Sequence, residues 1–162
     1  MNLRNSIWSI IFYISIVVLT SCQSGLNPEI QKNSKLMGKL IFTSERESFP
    51  PADSIKDMRV VAFKTYPPTN VVADVLTGNA YFTDQTLDYS QDTVDFEITI
   101  PEPPVELKYI VAGYQYGTIM EWRVIGVYHQ NNDSISSLNI DKGKNYEIEI
   151  FVDWKNLPPQ PF

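Results

Sequence analysis

From residue 36 onward the chain alternates apolar and polar positions in short runs, the period expected of extended strands whose two sides face different surroundings. Residues 94–100 are the cleanest case. Val94, Phe96, Ile98 and Ile100 point one way, and Asp95, Glu97 and Thr99 the other. Residues 146–152 repeat the arrangement, with Tyr146, Ile148, Ile150 and Val152 set against Glu147 and Glu149. Residues 36–44 place Leu36, Gly38, Leu40 and Phe42 on one face, and residues 58–65 form a β-branched run with Arg59 and Lys64 near its ends. Residues 108–116 and 122–129 are apolar on both faces, as in strands at the centre of a sheet, and residues 137–140 make one short further strand.

Proline and glycine sharpen the picture. All 11 prolines fall outside these runs, as they should, because proline has no N–H to give to a sheet ladder. Gly38, Gly113 and Gly126 lie inside strands, where each marks a bulge or a close backbone approach. One segment departs from period two: Val71, Val72, Val75 and Leu76 recur at helical spacing between Asn70, a capping residue, and Gly78, a terminator. A short helical turn near 70–77 is expected. About seven short strands with turns between them predict an all-β fold, a two-layer antiparallel β-sandwich of the immunoglobulin/transthyretin-like kind, over residues 36–157.

Three stretches, Met37-Gly38-Lys39-Leu40-Ile41-Phe42, Arg59-Val60-Val61-Ala62-Phe63 and Tyr109-Ile110-Val111-Ala112-Gly113-Tyr114, resemble transthyretin-like sandwich domains, the carboxypeptidase regulatory-like domain being the nearest relative. That resemblance implies a non-catalytic attachment or adhesion module.

The N-terminal part is of another kind. Arg4 precedes an uncharged, mostly apolar run of 13 residues, 7–19, shorter than the roughly 20 needed to cross a bilayer as a helix. This is the form of an export leader over residues 1–21. The run ends in Leu19-Thr20-Ser21-Cys22, which resembles the lipobox of bacterial lipoproteins. The resemblance implies cleavage before Cys22, a diacylglyceryl group on its sulfur and acylation (palmitate among the chains) of the new N-terminus. With Gln23 rather than aspartate next, it implies sorting to the outer membrane of the bacterial cell envelope. Residues 22–35 are polar and read as a flexible tether, with a mean span of roughly 20 Å. Residues 158–162 form a Pro-rich tail.

Cutting at Cys22 removes Arg4 alone among the charged residues, so 13 basic residues become 12 against 19 acidic ones, a net of −7 over 141 residues. An acidic chain without clustered Lys and Arg is not built for nucleic acid. A single cysteine, which the resemblance makes the lipidation site, leaves no disulfide to support the fold. Burial must do so, and of the chain's 8 Phe, 9 Tyr and 3 Trp all but Phe12, Tyr13 and Trp8 remain after the cut to supply it.

Candidate chemistry is sparse. A catalytic triad needs a base, and His129 is the one histidine, at a strand end. Asp84, Asp88, Asp92 and Asp95 recur every three or four residues and are candidate calcium ligands, without the glycine and closing glutamate of a calcium loop. The plainer reading is a solvated acidic connection. The carboxylate pairs Glu45/Glu47 and Glu102/Glu106 sit beside prolines in loops. A hydrolase built on them remains the alternative from another class. No cofactor site is visible. Ser54, Thr93 and Ser134 each follow an aspartate and precede an apolar residue, which resembles the O-glycosylation acceptor of the Bacteroidetes envelope; Asp-Ser is also ordinary turn chemistry. Among the aromatics, Tyr116 and Trp154, beside turns, are expected to be exposed and able to stack on a ligand. The partners expected are therefore the membrane, through Cys22, and a protein or glycan of the envelope. The reading is a binding or scaffolding module, with a carbohydrate-binding module as its alternative.

Overall fold

The computed structural model describes residues 32–130 and 134–161. The leader, the lipobox with Cys22, and the tether up to residue 31 lie outside the described residues.

Among the described residues nine strands and one short α-helix follow in order, with two 3-10 turns between β1 and β2: β1 (Ser34–Phe42), β2 (Asp57–Phe63), α1 (Val71–Leu76), β3 (Ala80–Phe82), β4 (Thr93–Ile100), β5 (Val105–Leu107), β6 (Tyr109–Gln115), β7 (Trp122–Val127), β8 (Leu138–Ile140) and β9 (Asn145–Val152). They make an all-β sandwich. One layer has the order β4-β1-β9 and the other β3-β2-β6-β7, while β5 and β8 pair as a small ribbon. The expected strands are all present. Two further ones, β3 and β5, are three residues each, too short to show a period.

Two boundaries and one strand direction differ from expectation. β1 takes in Ser34 and Lys35, which the polarity of the sequence assigned to the tether. Ser34 is fully buried because its hydroxyl donates to the Asp141 carbonyl (2.6 Å) and accepts from the Lys144 N–H. Second, the sandwich is not wholly antiparallel. β1 runs antiparallel to β4, Leu36 facing Ile98, but parallel to β9, Leu36 facing Tyr146. Alternation encodes which side a residue faces, not the direction of its neighbour. Third, the tail belongs to the sandwich. The Gln160 amide accepts from the Val124 N–H (2.8 Å) and donates to the Val124 carbonyl (3.0 Å), so it acts as a one-residue partner for the edge strand β7.

Between the layers lie Leu36 and Leu40 of β1, Phe96, Ile98 and Ile100 of β4, and Ile148, Ile150 and Val152 of β9. They meet Met58 and Val60 of β2, Ile110 of β6 and Ile125 of β7. These are the inward positions expected from alternation, and each side chain of this size contributes about 1.5–3 kcal/mol on full burial. Gly38 leaves room for the Phe96 ring: a Cβ there would come within 2.8 Å of the ring and collide with the Ile148 carbonyl. Gly113 sits at the register shift between β6 and β7.

A second apolar cluster covers the opposite side of the four-stranded sheet. Val61, Phe63, Ala80, Tyr109, Val111, Val124 and Val127 are buried there, with Val71 and Val75 of α1 packed against them. Helices this short do not persist alone. α1 exists because its valines are covered by the sheet and its N-terminus is capped: the Asn70 side chain accepts from the N–H groups of Val72 (3.0 Å) and Ala73 (3.1 Å). Gly78, at φ +74°, ends it as expected.

Candidate functional site

The acidic candidates are dispersed. Asp92 is held by Arg46, whose Nη2 and Nε reach one carboxylate oxygen at 2.7 and 3.1 Å. Asp88 accepts from the Ser90 N–H at 2.9 Å, and that hydrogen bond lowers its pKa below the usual aspartate value. Asp84 is exposed, and Asp95 lies on the outer side of β4. Among the described residues no group of three His, Cys, Asp or Glu side chains is placed to hold a metal ion.

His129 is exposed, with Nδ1 2.9 Å from the Ser134 carbonyl. Glu45 pairs with Lys155 at 3.2 Å, Glu106 stands 3.9 Å from Lys108, and Glu47 and Glu102 are exposed. The loops thus separate these groups and bring no base to a nucleophile. Of the glycosylation candidates, Ser54 is half-buried and donates its hydroxyl to the Pro51 carbonyl (2.6 Å), whereas Thr93 and Ser134 are exposed.

The two aromatic candidates part company. Tyr116 is 48% exposed. Trp154, expected to be open, instead plugs the end of the main core. Its ring lies parallel to Phe42 (6.4 Å between centroids) and meets Phe49 and Tyr114, each at 5.5 Å. Its indole N–H is buried without a partner among the described residues. Packing of three rings around it outweighs the cost of that one orphan donor.

What stands beside Tyr116 is the hairpin between β6 and β7, and it is built rigidly. Tyr116 N–H donates to the Glu121 carbonyl (3.1 Å), Glu121 N–H to the Thr118 carbonyl (2.9 Å), and Thr118 N–H to the Glu121 carboxylate (2.5 Å). The last bond, with Lys56 nearby, holds the Glu121 carboxyl below its usual pKa. Gln115 donates to the Gly117 carbonyl (3.0 Å), and the Trp122 indole N–H to the Ile119 carbonyl (2.8 Å). Ile119 (64%) and Met120 (55%) are left pointing into water at the tip.

At the edge of β7 a groove of about 440 Å³ is lined by Tyr114, Tyr116, Trp122, Arg123 and Gln160. Sequence reasoning missed Trp122, Arg123 and the tip because the run 122–129 reads as a buried strand. Two apolar residues, Ile119 and Met120, in a tight turn were the available signal. A second, shallower groove of about 990 Å³ crosses the outer side of the β4-β1-β9 layer. There the register sets Asp95, Lys39 and Glu149 in one row and Glu97, Met37 and Glu147 in the next.

No family model, no curated protein and no solved structure matches the chain.

Proposed function

We propose that the chain is exported, acylated at Cys22 and held at the bacterial outer membrane, where its sandwich serves as a non-catalytic binding module. The observation that carries this reading is the placement of two ends. The chain enters the sandwich at Ser34, beside Asp141 and Lys144. The rigid β6–β7 hairpin belongs to the other end: Phe42, the last residue of β1, stacks on Trp154, Trp154 meets Tyr114, and Tyr114 meets Tyr116. The nine residues of β1 separate the two ends by roughly 30 Å. The exposed Tyr116, Ile119 and Met120 of the hairpin are then a surface that this end of the sandwich offers to a partner. The resemblance of the strand stretches to transthyretin-like attachment domains supports the same reading.

Growth with labelled palmitate tests the anchor. The native protein takes up label and partitions with membranes, while Cys22→Ala loses label and moves to the soluble fraction. Label on Cys22→Ala, or none on the native chain, overturns it.

A further inference from the structure

We propose that the groove at the β7 edge binds an acidic sugar of a glycan, a uronate or similar residue. The inference rests on the binding-module reading and supplies its ligand class.

The argument starts from Arg123. Of the three arginines among the described residues, Arg46 is paired with Asp92 (2.7 Å) and Arg59 with Asp57 (2.9 Å). Arg123 is exposed and has no carboxylate partner among the described residues, in a chain of net charge −6 where acids are plentiful. A guanidinium offers a planar fork of donors that fits a carboxylate. With no carboxylate beside it among the described residues, it can take one from a ligand.

The remaining lining decides the class of anion. Tyr116, 48% exposed and on the same side of the sheet as Arg123, gives the groove an open aromatic ring, with Trp122 at its margin; the C–H face of a pyranose packs on such a ring, its axial hydrogens against the electron-rich face. Gln160 contributes shape only. Its oxygen is taken by the Val124 N–H, and its two donors by the carbonyls of Val124 and Pro158. The polar groups open to a ligand are thus Arg123 and the half-exposed Tyr116. A few polar groups on an aromatic lining, in about 440 Å³, is ordinary for a small-ligand site. The indole of Trp122 is already fixed by Ile119 (2.8 Å), so little ordering is needed on binding. A nucleic-acid strand would also offer anions and stacking bases, but it needs a row of cations along its backbone, and the groove has one. The other groove, with Asp95, Glu97, Glu147 and Glu149, repels the same ligand.

Calorimetric titration of the full-length protein in a zwitterionic detergent tests the site, with trigalacturonate as probe and cellotriose and an oligothymidylate as comparisons. Saturable binding of trigalacturonate is expected, tighter than cellotriose. Arg123→Gln weakens it by about tenfold or more, the loss of a charge-assisted hydrogen bond, and Tyr116→Ala weakens both sugars. Arg123 is exposed, so Arg123→Gln keeps the native melting temperature, while Tyr116→Ala, which gives up a ring contact with Tyr114, is read only at temperatures where it is fully folded. Absence of trigalacturonate heat, equal affinity for cellotriose, indifference to Arg123→Gln, or tighter binding of the oligothymidylate overturns the proposal. The palmitate label is read independently: a labelled protein that binds no trigalacturonate refutes the sugar site alone, and a sugar-binding protein without label refutes the anchor alone.

Discussion

On the outside of the three-stranded layer, Asp95, Lys39 and Glu149 stand in a row open to water. On the outside of the four-stranded layer, Val61, Phe63, Tyr109 and Val111 are shut away beneath Val71 and Val75 of α1. Both layers contribute alternate side chains to the same inner core, so the difference lies wholly in the other parity. Charged groups lose hydration when covered, and an apolar segment has nothing to gain over them. A wall of Val, Phe and Tyr draws in whatever apolar segment the chain offers, even a helix of six residues. The lesson concerns what surrounds a strand: the outward residues of a sheet decide whether it ends the protein or becomes an interior layer.

The largest expected effect comes from cutting into the covered face. Phe63→Ala removes a fully buried ring and should cost about 3–5 kcal/mol by denaturant unfolding. A loss below about 1 kcal/mol, the level of an ordinary surface change, would mean that this side is not a second core.

The same face should titrate late. Burial, with Tyr66 beside it, pushes the Tyr109 phenol up to about 12 from an ordinary 10.0. Its contribution to stability is therefore complete below pH 10.0 and is lost as pH rises toward about 12. Comparison of tyrosinate absorbance between the native protein and Tyr109→Phe should show a late ionisation, accompanying unfolding, that the variant lacks. If the two titrations differ only below pH 10.0, Tyr109 is open to water.

On the exposed face the effect should nearly vanish. Glu149→Gln changes a solvated carboxylate in the Lys39 row and should shift stability by no more than about 0.5 kcal/mol. A larger loss would show that the charged rows hold the layer together.

Much of this architecture is written in the order of side chains. The inward sets of β4 and β9, the capped turn at 70–77, the double-sided burial of β6 and β7, and the breaks at proline follow from local rules that act within a few residues. β3 and β5 were not legible, because each is three residues with no turn of its own: β3 follows straight on Gly78 and Asn79 at the end of α1, and only Lys108 separates β5 from β6. The candidate groove was half legible. Tyr116 lies exposed beside its turn as expected, but Trp154 at an equally turn-like position is drawn into the core by Phe42, Phe49 and Tyr114.

Sequence alone therefore determined which residues are extended, which side of each strand is apolar and where the chain turns. Those properties arise from backbone sterics and nearest neighbours. Only the tertiary structure decided that β9 runs parallel to β1, that Gln160 guards the β7 edge, and that Arg123 stands without a carboxylate partner among the described residues. Such relations join residues up to more than a hundred positions apart. They are set by which apolar surfaces meet when two layers close, a choice that no local pattern records.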